Sequence, residues 1–277
     1  MPPGQNGDGG PGGAATDAST NDAGTGGSTL PDAGSSHPDS GGAGVDAGTD
    51  APAEAAAATS YCASLSSAPI FCDDFDEGAL GTPWDQVSGA HGSASLDSVF
   101  SVSAPNAMLV AVNSGANNVD VAGYKSFQAM QGVVRLYTMD FDVRVETVDT
   151  SSSSDGVLGA LQFWNGSAYW DLQVEVVYSG GALDAYLTED SSTLNVSHLA
   201  SQTIPMKTWS HVTLAVAVPS TAGSGTQATL SLNGVAIATA TVKITTNNPI
   251  PEVLLGVTYA TPSSGGWTVR YDNVTLN

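Results

Sequence analysis

The sequence has few basic residues, only two cysteines and no long apolar run. Six Lys and Arg stand against 27 Asp and Glu in 277 residues, which gives a formal net charge of −21. A chain this acidic repels phosphate backbones and anionic lipid head groups, so nucleic acid and membrane surfaces are unfavourable partners. No stretch approaches the roughly 20 apolar residues that cross a bilayer, so no transmembrane segment is expected.

The first 60 residues lack Lys, Arg and aromatic residues altogether. They hold 14 of the 32 glycines, 6 of the 14 prolines and eight of the carboxylates. Such a segment cannot bury enough apolar area to offset its conformational entropy, so residues 1–60 are predicted to be a disordered linker. Residues 61–277 carry the other 19 acids and all six bases, a net −13, and are predicted to form one folded domain.

Both cysteines, Cys62 and Cys72, lie at the N-terminal end of this domain. No His or Cys stands at zinc-ligand spacing from them, whereas a short loop closed by a disulfide is common, so a bridge is predicted. The alternative is two free thiols in a cytoplasmic protein. Residues 1–4 show neither the charged nor the apolar region of a signal peptide. If the bridge forms, the compartment is oxidising, and an export signal and surface anchor are expected upstream of this start.

From residue 69 onward, apolar and polar residues alternate with a period of two, as Val143 and Val145 do with Arg144 and Glu146. No window shows a helical repeat. Turn sequences such as 165–166, Asn-Gly, separate the segments. An all-β fold is predicted, an antiparallel two-sheet jelly-roll sandwich. Its predicted strands are 69–76, 93–100, 106–112, 119–125, 133–148, 157–164, 168–178, 182–188, 210–218, 227–232, 235–243, 253–259 and 267–276.

The hairpin around Asn165-Gly166 predicts a polar sheet face. A two-residue turn there would place Trp164 opposite Ser167, and alternation then sorts both strands consistently. Aromatic rings stack on sugar C–H groups while polar neighbours bond hydroxyls, so the face suits a poly- or oligosaccharide. The alternative is an ordinary solvated face with stray aromatics. The predicted ligand-binding residues are Gln162, Trp164, Tyr169, Asp171, Gln173 and Glu175, joined by Asp184 and Tyr186 from the next strand.

Five motifs in order resemble the landmarks of concanavalin A-like, laminin-G-like jelly rolls. They are residues 70–76 followed by Trp84, then 103–109, 207–214, 230–234 and 267–276, and together they cover the chain from about residue 69 to its C-terminus. The Gly/Ala/Asp-rich tail before a Cys-flanked first strand is similar, in composition, to uncharacterised surface lipoproteins of myxobacteria. That likeness implies a cell-surface tether through an N-terminal anchor.

The resemblance also raises the prospect of an enzyme, because the superfamily includes family-16 glycoside hydrolases. Their catalytic motif, Glu-x-Asp-x-x-Glu, is absent here. The nearest segment has Asp171, Gln173 and Glu175, and the outer two Cα atoms of an extended strand would be roughly 13 Å apart, too far for a nucleophile and an acid. We therefore expect a non-catalytic, extracellular, lectin-like domain. The alternatives are a divergent glycoside hydrolase or polysaccharide lyase, and a structural or adhesive protein that binds another protein.

The four histidines are scattered, so a transition-metal site is not expected. The superfamily resemblance implies a calcium site where the first and last strands meet. Alternation in the last strand slips after Tyr271, which predicts a bulge at Asp272-Asn273, and oxygen ligands beside such an irregularity suit calcium. The predicted ligands are Asp73, Asp74, Asp76 and Asp272. The alternative is a set of acids that closes a strand pair with Arg270, without a metal.

Overall fold

The computed structural model describes residues 60–115, 118–150, 153–191, 194–219, 222–261 and 265–277, so the predicted linker lies outside the described residues apart from Ser60. One short helix, α1 (Tyr61–Ser64), and one 3₁₀ turn, Gln128–Met130, accompany antiparallel strands. The strands are β1 (Phe71–Asp73), β2 (Gln86–Val87), β3 (Gly92–Asp97), β4 (Ala107–Val112), β5 (Val121–Ser126), β6 (Leu136–Thr147), β7 (Ser154–Trp164), β8 (Tyr169–Ser179), β9 (Ala182–Ser191), β10 (Leu194–Thr203), β11 (Ser210–Ala217), β12 (Gly225–Leu232), β13 (Val235–Lys243), β14 (Ile250–Ala260) and β15 (Trp267–Leu276).

These strands form a two-sheet sandwich, as predicted. The eight-stranded sheet has the order β13-β12-β11-β6-β15-β4-β3, and β1 pairs with β15 beside that path. The seven-stranded sheet has the order β10-β9-β8-β7-β14-β5-β2. Consecutive hairpins build one half of the seven-stranded sheet, whereas β14 and β5 join it from distant parts of the chain.

Alternating sequence produces the sandwich because each strand turns one face inward. On β6 the odd-numbered residues from Tyr137 to Val145 are buried, while the even-numbered ones are partly exposed. The inward faces of both sheets share one apolar core, in which Trp170 is 0% and Trp267 is 1% exposed. Burying each such side chain contributes roughly 1.5–3 kcal/mol, so the core dominates the stability of the domain.

The predicted pairing of the β7–β8 hairpin is wrong by two residues, although its faces are right. Trp164 lies opposite Tyr169 rather than Ser167, because a four-residue loop replaces the two-residue turn. The side-chain oxygen of Asn165 accepts hydrogen bonds from the backbone N–H groups of Ser167 (3.2 Å) and Ala168 (3.1 Å), which closes the wider loop. A slip of two residues preserves the alternation, so each side chain keeps its predicted side.

Several other elements differ from the sequence prediction at their ends. Strands β2 and β10 were not predicted, β1 is shorter than 69–76, and β9 continues to Ser191. The predicted irregularity in β15 is confirmed, since its register against β6 shifts between Asp272 and Thr275. The Cys62–Cys72 disulfide is also confirmed, with a Cα–Cα distance of 5.8 Å. In the described part of the chain, no helix has the length and hydrophobicity needed to span a membrane.

Candidate functional site

A row of polar side chains crosses the outward face of the seven-stranded sheet, which we call the polar face. Gln162 of β7 pairs directly with Asp171 of β8, and Asp171 pairs with Asp190 of β9. On the other side of Gln162 lies Glu252 of β14. Residues opposite each other on antiparallel strands project to the same side, so this row concentrates three carboxylates and an amide at the middle of the face.

Strand β8 extends the row along its own length. Asp171, Gln173 and Glu175 stand two residues apart and therefore project to the same side. Thr188 donates its hydroxyl proton to Glu175 Oε2 at 2.5 Å. The strand itself supplies a line of three polar groups about 13 Å long, and the neighbouring strands widen this line into a surface.

Irregularities in β7 and β14 shape the wall next to this line. The β7 register against β8 shifts between Val157 and Gly159, and a bulge of this kind brings Asp155 to the same side as Gln162. On β14, Gly256 has φ +137°, and a Cβ atom there would lie 2.3 Å from the carbonyl oxygen of Val121. Only glycine permits this close approach of β14 to β5, after which β14 turns Thr258 and Tyr259 into the pocket wall.

Together these strands enclose a pocket of about 670 Å³ on the polar face. Its walls combine carboxylates, amides, phenols and one threonine with two apolar side chains. The lining residues are Asp120, Tyr124, Asp155, Val157, Gln162, Asp171, Gln173, Glu175, Asp190, Asn195, Leu254, Thr258 and Tyr259. Pockets of this size accommodate small organic ligands or a few sugar units, and the polar groups would fix their orientation.

Asp171 is the most unusual group in the pocket. It is only 6% exposed, and its Oδ1 atom has no hydrogen-bond partner among the described residues. Burial raises the pKa of Asp171 to about 7, against the hydrogen bonds from Gln162 and Gln173 and with support from the negative charge of Asp190. A carboxyl group with a pKa near 7 can both accept and donate a proton at neutral pH.

Besides Asp171, the pocket contains a hydrogen-bonded pair that can transfer a proton, Tyr124 and Asp120. The Tyr124 hydroxyl donates to Asp120 Oδ1. Burial, followed by this hydrogen bond and the charges of Asp120, Glu252 and Asp171, raises the pKa of Tyr124 far above its ordinary value of 10. The phenol therefore stays protonated at neutral pH. It can accept a proton from a ligand only if it passes its own proton to Asp120 at the same time.

The structure brings together half of the predicted ligand-binding residues. Gln162, Asp171, Gln173 and Glu175 line the pocket, whereas the other four, Trp164, Tyr169, Asp184 and Tyr186, lie on the same sheet face outside its lining. Trp164 and Tyr169 face each other in the row next to Gln162 and Asp171. Asp184 accepts a hydrogen bond from the Thr203 hydroxyl at 2.7 Å, and Tyr186 lies opposite Glu175.

Sequence reasoning missed the pocket residues that come from other strands. Asp190 continues the alternation of Asp184 and Tyr186, so a longer β9 would have included it. Nothing local identifies Asp120, Tyr124 or Tyr259, because β5 and β14 reach the pocket through pairings that are distant in sequence. The irregular registers of β7 and β14 also hide Asp155 from a simple period of two.

The predicted calcium ligands divide into two groups. Asp73 and Asp74 lie together with Glu77, and ligand oxygens of the three are within 4.8 Å of one another. Asp74 is 0% exposed, and its Oδ2 accepts a hydrogen bond from the Cys62 backbone N–H at 2.8 Å. Its Oδ1 has no hydrogen-bond partner in the part of the chain that the structure describes. Asp73 accepts from the Trp84 indole N–H at 2.5 Å, and burial raises the pKa of Asp73 to about 7.

Asp76 and Asp272 are not part of this cluster of three carboxylates, Asp73, Asp74 and Glu77. Asp272 Oδ2 accepts backbone hydrogen bonds from Val102 (2.6 Å) and Ser103 (2.9 Å), so it anchors the loop before β4. Asp76 accepts from the Asn106 backbone N–H at 3.1 Å. The first and last strands do meet, since Asp73 of β1 pairs with Val274 of β15, but Glu77 takes the place that the sequence prediction gave to Asp76.

Comparison with known proteins shows the fold. No protein-family model matches the sequence, and no curated protein matches it. Among solved structures, the chain is similar to the endo-β-1,4-glucuronan lyase from the fungus Trichoderma reesei, with 13% identity, a TM-score of 0.55, and coverage of 76% of this chain and 95% of that one. It is also similar to the cellulose-induced protein Cip1, with 18% identity, a TM-score of 0.53, and coverage of 75% and 96%. A third similar structure is the family PL-14 alginate lyase from Aplysia kurodai, with 11% identity, a TM-score of 0.51, and coverage of 76% and 99%.

Proposed function

We propose that this chain is a carbohydrate-active enzyme of the polysaccharide-lyase kind, and that the pocket on the polar face is its active site. The observation that carries the proposal is Asp171, a nearly buried carboxyl group with an unpartnered oxygen and a pKa of about 7, in a pocket that also holds the Tyr124–Asp120 pair. Two of the similar folds named above are lyases, which supports elimination rather than hydrolysis as the reaction.

The lining of the pocket suits a sugar chain. The amides of Gln162 and Gln173 and the carboxylates around them offer donors and acceptors for sugar hydroxyl groups. Tyr259 is 46% exposed at the wall, so its ring is available to stack on the C–H face of a sugar. This proposal keeps saccharide recognition from the main sequence prediction, but it replaces the non-catalytic, lectin-like role with the polysaccharide-lyase alternative.

Elimination in a uronic acid polymer requires removal of the C5 proton and departure of the oxygen on C4. In the proposed reaction, Tyr124 takes the C5 proton while it passes its own proton to Asp120, to which its hydroxyl group is hydrogen-bonded. The C4=C5 double bond then forms as the C4–O bond breaks, and the proton returns through Tyr124 to the departing oxygen. Asp171, in its protonated form, and the two glutamine amides would hold the carboxyl group on C5.

Binding without cleavage is the second candidate function. It is favoured by Trp164 and Tyr169, two aromatic residues that face each other beside the pocket and take no part in the proton transfer. Aromatic platforms next to polar groups are sufficient for a lectin-like site. The third prediction, a surface that recognises another protein, gains support if no glycan binds at all.

Tyr124→Phe separates the two carbohydrate functions, with Tyr169→Ala as its matched control on the same face. For a lyase, Tyr124→Phe should lower formation of unsaturated product by about 100-fold or more while glycan binding stays within a few-fold of the parent. For a binding protein, the parent forms no unsaturated product, and Tyr169→Ala weakens binding about tenfold. Ultraviolet absorbance of the product and a glycan array measure the two outcomes.

The disulfide supports an exported domain. Cysteine bridges persist in oxidising compartments, and the Cys62–Cys72 bridge closes the entrance of the fold. We propose that the domain acts outside the cytoplasm, on extracellular polysaccharide. The surface anchor and the likeness to myxobacterial lipoproteins remain predictions, and a cell-surface fractionation of the native host checks them.

A further inference from the structure

The pocket contains many acidic groups and no basic one among the described residues that line it. Five carboxylates face it, those of Asp120, Asp155, Asp171, Glu175 and Asp190. Like charges at this density repel a ligand that is itself an anion, and the low dielectric of a concave site strengthens the repulsion.

Three of the six basic residues of the domain form ion pairs with acids outside the pocket lining. Lys125 follows Tyr124 on β5, so alternation turns it to the other side of the sheet, and its Nζ lies 2.7 Å from Asp85 Oδ1. Arg144 and Arg270 belong to the eight-stranded sheet, where both contact Glu146. No lysine or arginine is among the described residues that line the pocket, so none stands there to neutralise a sugar carboxylate.

The pocket nevertheless offers uncharged hydrogen-bond donors. The amide N–H groups of Gln162 and Gln173 flank Asp171, and Asn195 lines the same pocket. The Oδ1 of Asp171, a residue only 6% exposed, accepts no hydrogen bond from the residues that the structure describes. In its protonated form this carboxyl group donates to a carbonyl oxygen without requiring a positive charge.

Ester and carboxylate groups place different demands on elimination. A free carboxylate resists removal of the neighbouring proton, because the product would carry a second negative charge, and a site for it needs a counter-charge. An ester carbonyl is neutral from the start, and hydrogen bonds suffice to stabilise the negative charge that develops on its oxygen. The lining of this pocket matches the second requirement.

We infer that the substrate is a uronic acid polymer whose carboxyl groups are esterified. This inference rests on the proposed lyase function and narrows it to a substrate class. The reaction leaves the ester intact. The C5–H bond breaks and its proton moves to Tyr124, whose own proton moves to Asp120. The C4=C5 double bond forms as the C4–O bond breaks, and a proton returns from Asp120 through Tyr124 to the departing oxygen. Neither water nor an external oxidant is consumed.

The test uses the full chain on glucuronan and alginate, each as the sodium salt and as the methyl ester, and follows the unsaturated product by ultraviolet absorbance. Tyr124→Phe serves as the blank for spontaneous elimination from the esters. We expect the ester of at least one polymer to react at least tenfold faster than its salt. Equal or faster cleavage of the salts overturns the inference and leaves the lyase proposal intact, whereas no product from any form overturns both.

A charge variant tests the cause of the preference. Asp190→Asn removes one negative charge beside Asp171 and should reduce the ester-to-salt ratio at least threefold by speeding cleavage of the salt. Asp184→Asn is the matched control, because Asp184 lies on the same strand and face but outside the pocket lining, and its ratio should equal the parent's. A ratio that falls equally in both variants contradicts the assignment to this pocket.

Discussion

The outer face of the eight-stranded sheet and the polar face of the seven-stranded sheet both carry acidic side chains, but they differ in the partners of those acids. On the eight-stranded sheet, Glu146 contacts Arg144 and lies 2.7 Å from Arg270 Nη1. Arg270 Nε lies 2.5 Å from Asp97 Oδ2. Both arginines also stack over the ring of Phe100, at 4.1 and 5.0 Å from its centroid. The charges of this network are matched within the protein.

The same sheet holds a second cluster, in which the His211 ring lies between two carboxylates. Its Nδ1 lies 2.9 Å from Asp142 Oδ1, and its Nε2 lies 3.6 Å from Asp140 Oδ1. Hydrogen bonds to these two carboxylates raise the pKa of His211 to about 10, so the ring is a cation at neutral pH. Thr213 and Asn273 donate the remaining hydrogen bonds to the two acids.

On the polar face, by contrast, Asp171 is more buried than these acids and has less support. Its neighbour across the strand pair, Asp190, is another acid, and Oδ1 of Asp171 has no hydrogen-bond partner within the described residues. A buried carboxyl oxygen without a hydrogen-bond partner costs folding free energy, so such an atom is evidence of a ligand site. The comparison therefore distinguishes acids that stabilise the sandwich from acids that the sandwich holds for a ligand.

Asp171→Asn should produce the largest stability effect, and it should depend on pH. Because the pKa of Asp171 is raised to about 7 from 3.8, the folded state holds a proton there that the unfolded chain releases above pH 4. Stability contributed by that proton is complete below pH 4 and is lost as the pH rises to 7. A shift of about three pKa units corresponds to a fall on the order of 4 kcal/mol in the free energy of unfolding of the parent. Asp171→Asn should not show this fall, because asparagine does not titrate.

Urea unfolding between pH 4 and pH 8 measures this difference. The free energy of unfolding of Asp171→Asn, relative to the parent, should rise across that range. Asp184→Asn, on the same face but outside the pocket, should follow the parent at every pH. Parallel curves for the parent and Asp171→Asn would show that burial does not raise the pKa of Asp171. The proposed difference between the two sheet faces would then be wrong.

Arg270→Met tests the matched side of the comparison. The Arg270 side chain is 11% exposed, and its loss leaves Asp97 and Glu146, both largely buried, without their shared cation. Removing one partner of such a network costs about 3 kcal/mol. Lys125→Met is the control, because it breaks the more exposed Lys125–Asp85 pair at a cost of about 1 kcal/mol or less. Equal losses in denaturant unfolding would mean that the arginine network does not stabilise the sandwich.

The parts of the candidate site that were predictable from sequence are those joined by short connections. Alternation alone assigned Gln162, Asp171 and Glu175 to one face of β7 and β8, and this assignment survived a register error of two residues because the side-chain period is also two. The Tyr124–Asp120 pair was beyond reach, since β5 enters the sheet next to β14, more than 120 residues away in the chain. Local periodicity carries no information about such distant pairings.

The cluster of Asp73, Asp74 and Glu77 beside β1 shows that prediction from sequence can also fail between residues that are close in the chain. The sequence prediction took Asp73, Asp74 and Asp76 from the resemblance to the superfamily's calcium site, and it did not include Glu77. The chain leaves β1 after Asp73, and Phe75 adopts a positive φ of 59°, so the period of two no longer applies. Glu77 consequently reaches the group and Asp76 turns to the Asn106 backbone.

The last prediction applies the lesson of the comparison to this group, because Asp74, like Asp171, is a buried acid with an unpartnered oxygen. We expect calcium to bind at Asp73, Asp74 and Glu77. For a dissociation constant near 10⁻³ M, which is common in extracellular modules, 10 mM calcium would stabilise the fold by about 1.4 kcal/mol. The melting temperature should rise by about 3–6 °C and return to its starting value with a chelator.

Two single substitutions identify the ligands of that ion. Glu77 is the exposed member of the group, so Glu77→Gln should abolish the calcium-dependent rise without changing the melting temperature measured in chelator. Asp76→Asn, one residue earlier, should retain the full rise, because its carboxylate is occupied by the Asn106 backbone. The reverse pattern would restore the ligand set expected from sequence. Identical melting curves with calcium and with chelator would mean that the unpartnered oxygen of Asp74 marks no cation site, and that burial without a partner is not by itself a guide to ligands in this fold.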